Sequence, residues 1–292
     1  MLFRSVTVRD IASWMVGRSV ETDKARAPRE LPEDHILEID GLWVDMPGET
    51  VRSASVRVRR GEIFGVGGLA GQGKLGLPNG VMGLYAAGGS VKMDGKPVPL
   101  NDPRAALELG MAFVSEDRRG VGLLLDEPLD WNIAFTAMQS RGMYLRPYLG
   151  GLFKLRDEAG LDAVAREYIE LLSIKCTGPK QRAKELSGGN QQKICLAKAF
   201  ALRPTLLFVS EPTRGIDVGA KELVLQSLRH YNRDFGTTIV MISSELEELR
   251  SICDRVAIVD EGRIAGILPP GADPSEFGLL MAGETREEAP HA

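Results

Sequence analysis

"EIFGVGGLAGQGKLGL", Glu62 to Leu77, runs from a short apolar stretch straight into glycines and a lysine. The apolar part reads as a buried strand, and the glycines as a loop that opens a helix. Gly68-Leu-Ala-Gly71-Gln72-Gly73-Lys74 has the spacing G-x-x-x-x-G-K. Glycines so placed let backbone N–H groups turn inward on phosphate oxygens, while the lysine adds a mobile positive charge. Leu75 stands where a Ser or Thr hydroxyl would ligate Mg²⁺, and an isobutyl group has no donor atom. Pro78, Asn79 and Gly80 weaken the helix that should follow, because Pro lacks an N–H and Gly and Asn favour other conformations. A glycine-rich turn that happens to precede a lysine fits the same pattern, so the rest of the chain has to decide.

Outward from that loop, the pattern is of strands alternating with helices. "ILEIDGLWV" (36–44) alternates like a strand, and a second strand is expected over "ASVRVRRGEIFGVGG" (54–68). "GMAFVSED" is strand-like, and Trp131 to about Gln181 reads as mainly helical, with Val164, Tyr168, Leu171 and Leu172 at helical spacing. "TLLFVSE" and "TTIVMISSE" are continuous apolar runs of the kind buried on both faces of a parallel sheet. Between them Val224, Leu228 and Tyr231 mark an amphipathic helix, and "RVAIVDEGRI" reads as strand, Gly turn and strand. The order is that of an α/β domain over residues 35–282. Residues 21–34, rich in Pro and charge, read as a linker; 1–20, with helical spacing at Ile11, Met15 and Val16, as the tail of something preceding it; 283–292 as a disordered tail.

Composition narrows the function. The 292 residues are 43% apolar, enough to fill a core, and 36 basic against 40 acidic residues leave a formal net charge of −4. Nothing in that balance attracts nucleic acid or anionic lipid generally, so anion binding must be local. Cys176, Cys195 and Cys253 lie far apart, without metal-ligand spacing, and fit a reducing compartment. The first twenty residues hold no apolar run long enough for a signal peptide or membrane span.

"LSGGNQQK", Leu186 to Lys193, puts a hydroxyl and paired glycines directly before "ICLAKAFALRP", where Ile194, Ala197 and Ala201 share a helix face. Free N–H groups and a hydroxyl at a helix start suit an anion. A plain Ser N-cap is the simpler reading, but "LLFVSEPTRGID" follows, with Glu211 at the end of a buried strand.

The ordered set of glycine loop, "LSGGNQQK", "SEPTRGIDVGAK" and "SSELEEL" resembles the nucleotide-binding subunits of ABC transporters. It is most similar to the second ATPase half of the tandem subunits that energise bacterial uptake of simple sugars and related nucleosides. "FVSEDRRGVGL" (Phe113 to Leu123) resembles the loop specific to those halves, and "MVGRS" before the linker resembles the end of the first half. The likeness runs from about Val16 to Gly266. It implies a P-loop NTPase of the ABC type, with a parallel sheet core, a small antiparallel β part near 35–60 and a helical subdomain of about 130–190 that carries the signature.

By that resemblance, Gly68, Gly71, Gln72, Gly73, Lys74 and Leu75 form the Walker A loop. Ser187, Gly188 and Gly189 form the signature that grips the γ-phosphate of ATP held by a partner domain. Glu211 matches the catalytic base and Asp217 the loop that communicates across the dimer. Ser115 and Glu116 fall in the γ-phosphate-sensing loop, and Trp43 is a candidate for stacking on adenine. Three positions depart from the pattern: Leu75 for the Walker A hydroxyl, Ser210 for the Walker B Asp, and Ser244, a catalytic candidate, where active halves commonly carry a His that holds the γ-phosphate. Two supports for Mg²⁺ are thereby missing, and a serine hydroxyl is a far poorer ligand than a carboxylate.

The expectation is a degenerate half that binds ATP and Mg²⁺ weakly and completes the site of an active partner. Its partners would be a second ABC ATPase domain, membrane permease subunits and, indirectly, a solute-binding protein, at the cytoplasmic face of the membrane. A non-catalytic structural or regulatory module is the first rival. A soluble ABC ATPase acting on DNA or ribosomes is the second, and the composition shows neither basic patches nor long coiled coils in its favour.

Overall fold

The computed structural model describes residues 29–283. In chain order, β1 (His35–Val44), β2 (Val51–Arg59) and β3 (Ile63–Gly67) lead into the short helix α1 (Gly76–Val81). β4 (Ala87–Met93), β5 (Lys96–Pro97), α2 (Pro103–Glu108) and β6 (Met111–Val114) follow. Next come α3 (Leu129–Arg141), the hairpin of β7 (Leu145–Tyr148) and β8 (Phe153–Arg156), α4 (Glu158–Leu171) and α5 (Gly188–Phe200). The chain then forms β9 (Leu206–Ser210), α6 (Val218–Phe235), β10 (Thr238–Ile242) and α7 (Leu246–Ile252), and ends in β11 (Arg255–Asp260), β12 (Arg263–Leu268) and α8 (Pro274–Met281).

Ten strands form one sheet in the order β5-β4-β1-β2-β12-β11-β3-β10-β9-β6. Its right half is parallel, with β3 central between β10 and β11. Strands β3, β9 and β10 are buried at every position, so their side chains alternate between two cores. Ile63, Leu207, Val209, Ile239 and Met241 face one core, shared with α3–α7. Phe64, Val66, Leu206, Phe208, Val240 and Ile242 face the other, shared with β1, β2, β4 and α1. Continuous apolar runs are what a two-sided strand requires.

The antiparallel part is larger than residues 35–60, because β4 and β5 join β1 and β2 in it. The second expected strand is two strands. Gly61, at φ 72°, sits in a turn closed by Glu62 N–H donating to the Arg59 carbonyl (3.2 Å), so β2 and β3 part to different neighbours. The region 131–181 is not continuously helical either: Gly142 caps α3 in the left-handed conformation, and the β7–β8 hairpin intervenes before Asp157 caps α4. In α4, Val164 and Tyr168 are buried, with Leu172 just beyond it, whereas Leu171 is 47% exposed. α8 carries no expected pattern; it packs Phe277 and Leu280 against the first core. The expected preceding tail and most of the linker lie outside the described residues, as does most of the expected C-terminal tail. Within the expected linker, Arg29 makes a two-pronged ion pair with Asp254, both contacts 2.8 Å.

Candidate nucleotide site

The glycine loop stands where β3 leaves the sheet, and α1 is a bare six residues long, as Pro78, Asn79 and Gly80 led one to expect. Gly68, Gly71 and Gly73 all have positive φ, and a methyl group on Gly73 would come within 2.6 Å of the Thr50 carbonyl oxygen. The N–H groups of Gly71, Gly73 and Leu75 converge, and what they bind is the carboxylate of Glu49, at 2.8, 3.0 and 3.1 Å. The loop is therefore a formed anion cradle, held on an anion of its own chain. Lys74 is 1% exposed and its ammonium donates to the Leu69 carbonyl (3.1 Å). Gln72 ties the loop to the β11–β12 turn through Glu261 N–H (2.7 Å) and Gly262 N–H (2.8 Å).

At the ends of β9 and β10 the two catalytic candidates meet. Ser244 Oγ donates to Glu211 Oε1 at 2.5 Å. Glu211 adopts φ 47°, a left-handed conformation unusual for a side-chain-bearing residue, and its N–H donates to the Ile242 carbonyl (2.8 Å). Behind them lies a buried network with no counterpart in the sequence reading. Glu248 accepts from Thr213 Oγ1 (2.5 Å) and Ser243 Oγ (3.0 Å), and Lys221 lies 3.2 Å from it. Burial pushes the Glu248 carboxyl above the usual range, against the pull of the Thr213 hydrogen bond. Glu248 thus joins the loop after β9 to the loop after β10. Glu248→Ala leaves two buried hydroxyls without an acceptor and should cost about 2–4 kcal/mol in urea unfolding, with Glu248→Gln costing less. A loss below about 0.5 kcal/mol would mean the network does not hold these loops.

The signature occupies the start of α5. Ser187 is exposed and makes no side-chain cap, while Asn190 Nδ2 donates to its Oγ (2.9 Å). Ser187–Gly189 are bordered by Arg118, Gly215 and Ala220, whereas Gly68–Leu75 are bordered by Glu49, Thr50, Val259 and Gly262. The two motifs of one chain thus lie in different surroundings. Arg118, unnoticed in the sequence, comes from the turn after β6; its guanidinium lies 3.5 Å from where a Cβ on Gly188 would stand, and its Nε is buried without a hydrogen-bond partner among the described residues. In the same turn, Ser115 Oγ donates to Glu116 (3.2 Å). Asp217 caps α6 by accepting from Ala220 N–H (3.0 Å) and is exposed. The Trp43 indole packs against Gly88 of β4 and is 47% exposed.

The donor set does not fit Mg²⁺. Leu75 packs into the second core, Ser210 Oγ is fully buried with no hydrogen-bond partner among the described residues, and Glu211 is engaged by Ser244. No cluster of three His, Cys, Asp or Glu side chains able to hold a metal occurs among the described residues. Magnesium bound with a nucleotide takes most of its oxygens from phosphates and water and needs only about one or two from the protein, and here an isobutyl group and a buried hydroxyl stand where those would be. The N–H cradle, by contrast, offers converging donors of the kind that suit an oxyanion, and three of them are met by the Glu49 carboxylate.

The geometry agrees with known proteins. The chain is 38% identical over 294 residues to the guanosine import ATP-binding protein NupO of Bacillus subtilis (strain 168), covering 98% of this chain and 55% of that protein. It is 36% identical over 280 residues to the ribose import ATP-binding protein RbsA of Caldanaerobacter subterraneus subsp. tengcongensis, with 95% and 53% covered. For the D-allose import ATP-binding protein AlsA of Escherichia coli (strain K12) the values are 37% over 276 residues, 93% and 52%. The chain spans about half the length of these curated relatives. The fold is that of the dimeric post-hydrolysis ATP-binding cassette MJ0796 bound to ADP and Pi, at a TM-score of 0.66 and 19% identity, over 81% of this chain and 100% of that one. A nucleotide-free cassette from an ABC transporter superposes at 0.67 and 18% identity, with 85% and 96% covered. The family model for ABC transporters matches residues 51–214, which takes in more than half of the chain, the glycine loop, the signature and Glu211. With loop, signature and cassette fold in agreement, this chain belongs to the ABC transporter family of ATPases.

Proposed function

We propose that this chain is an ATP-binding half of an importer for sugars or nucleosides, and that it contributes to the ATP cycle chiefly through its signature. The solute class rests on the relatives, whose names assign them guanosine, ribose and D-allose import. The observation that carries the unequal division of labour is the pairing of an exposed, uncapped signature helix with a phosphate loop lacking metal ligands. A nucleotide held by a partner cassette meets Ser187, Gly188 and Gly189, whose hydroxyl and N–H groups suit the γ-phosphate. Arg118, whose Nε has no hydrogen-bond partner among the described residues, lies beside the positive end of α5 and adds a cation to the same face.

The partner is a second ABC ATPase domain, as a homodimer or heterodimer. Membrane permease subunits receive the closing motion and a solute-binding protein delivers the cargo. No helix among the described residues is long and apolar enough to cross a membrane, so the permease would hold the chain at the cytoplasmic face.

The test is ATP turnover by the isolated chain with Mg²⁺, against Lys74→Ala and Glu211→Gln. Turnover no higher than that of Glu211→Gln is the expected result. Turnover that depends on Lys74, Glu211 and magnesium together would overturn the degenerate half-site.

A further inference from the structure

Glu49 has no task in the cycle described above, yet its carboxylate holds the centre of the phosphate loop. Three N–H groups, from Gly71, Gly73 and Leu75, donate to it within 3.1 Å. A second observation concerns Gly76. Its φ lies outside the positive range, so backbone conformation does not explain the glycine. Close approach does: a methyl group there would fall 2.1 Å from the Glu49 carbonyl oxygen, and any side chain would expel the segment that carries Glu49. That segment is itself built to hold the carboxylate in place. A tight turn brings Glu49 N–H onto the Met46 carbonyl (3.0 Å), and Arg52 N–H is fixed to Gly262, whose own N–H binds Gln72 of the loop (2.9 and 2.8 Å).

The geometry points to Glu49 as the resident anion of this phosphate loop and the residue that decides what the loop accepts. The N–H groups that would bind a nucleotide's phosphates are committed to a carboxylate of the same chain, and a nucleoside triphosphate enters only when Glu49 leaves. The inference rests on the reading of Gly68–Lys74 as a phosphate loop. A tethered carboxylate competes at high effective concentration, and two anions cannot share one set of donors. If the segment is released for roughly 1–10% of the time, ATP affinity is lowered about 10- to 100-fold.

The experiment uses the full chain and ATP, with calorimetric binding in the presence and absence of Mg²⁺. Hydrogen exchange at the amides of Gly71, Gly73 and Leu75 is followed alongside. Glu49→Ala should bind ATP about 10- to 100-fold tighter than the native chain, with Glu49→Gln between them. Adding Lys74→Ala to Glu49→Ala should abolish the gain, and the three amides should exchange faster in Glu49→Ala without nucleotide. If Glu49→Ala is poorly folded by its thermal melt, the isosteric Glu49→Gln carries the comparison alone.

Native chain and variant equally weak, with unchanged amide exchange, would overturn the role of Glu49 and leave the half-site reading intact. Equally tight binding with magnesium-dependent turnover by both would overturn both. A variant that binds tightly and also turns ATP over would uphold Glu49 and sink only the argument about missing metal ligands.

Discussion

Ser187→Arg is expected to lower ATP turnover of the assembled transporter at least about 100-fold, while Lys74→Ala lowers it less than about threefold. Ser187 stands exposed at the head of α5, where its hydroxyl is held by Asn190. An arginine there removes the hydroxyl, displaces Asn190 and projects a long side chain into the face that a partner cassette must approach. Lys74 lies in a loop already filled by Glu49, its ammonium turned to the Leu69 carbonyl. Removing it takes away little that the cycle uses. Phosphate release by the reconstituted complex measures both, and equal losses would contradict the unequal roles of signature and phosphate loop.

Phe200→Ala is expected to cost about 3–5 kcal/mol of unfolding free energy, read from urea denaturation. Phe200 is the last residue of α5, fully buried, and its ring stacks on Tyr231 of α6 with centroids 3.6 Å apart. The Tyr231 hydroxyl donates to the Phe200 carbonyl at 3.0 Å, so one tyrosine fixes both the ring and the end of the helix. Tyr231→Phe keeps the ring and removes the hydroxyl; it should cost about 1 kcal/mol. A loss below about 1 kcal/mol for Phe200→Ala would mean that α5 is anchored elsewhere. Because the signature sits at the other end of this helix, Phe200→Ala should also reduce turnover in the complex without touching nucleotide.

The parallel core was legible because β3, β9 and β10 are buried on both faces, which leaves no choice but unbroken apolar sequence. Ser244 and Glu211 could be placed by likeness, although nothing in their spacing says that they touch. Glu49 was not legible at all. In "DMPGET" a glutamate after Pro-Gly looks like a solvated turn residue, and the only hint was Gly76, a glycine with no turn to serve. Glu248 was hidden for a similar reason, since one acid among three in "SSELEEL" reads as surface charge. Its burial follows from Thr213 and Ser243, which arrive from another loop and another strand end. The β7–β8 hairpin was missed because the helical spacing of Val164, Tyr168, Leu171 and Leu172 coloured the reading of all of 131–181, whereas Gly142 and Gly150, both at positive φ, break the helix.

The central position of β3 also sets an order of events during synthesis. β3 precedes the glycine loop, but its neighbours in the sheet, β10 and β11, belong to the last third of the described chain. The Ile63 N–H finds its acceptor in Asp254, 191 residues onward. A chain emerging from the ribosome thus carries its phosphate loop without its sheet neighbours until β10 and β11 have been made. Long-range pairings of this kind close late and slowly. The cradle reaches its final shape only after β10 and β11 have been made, so a nascent or truncated chain that stops short of them should offer nucleotide, chaperone and protease an unformed glycine segment.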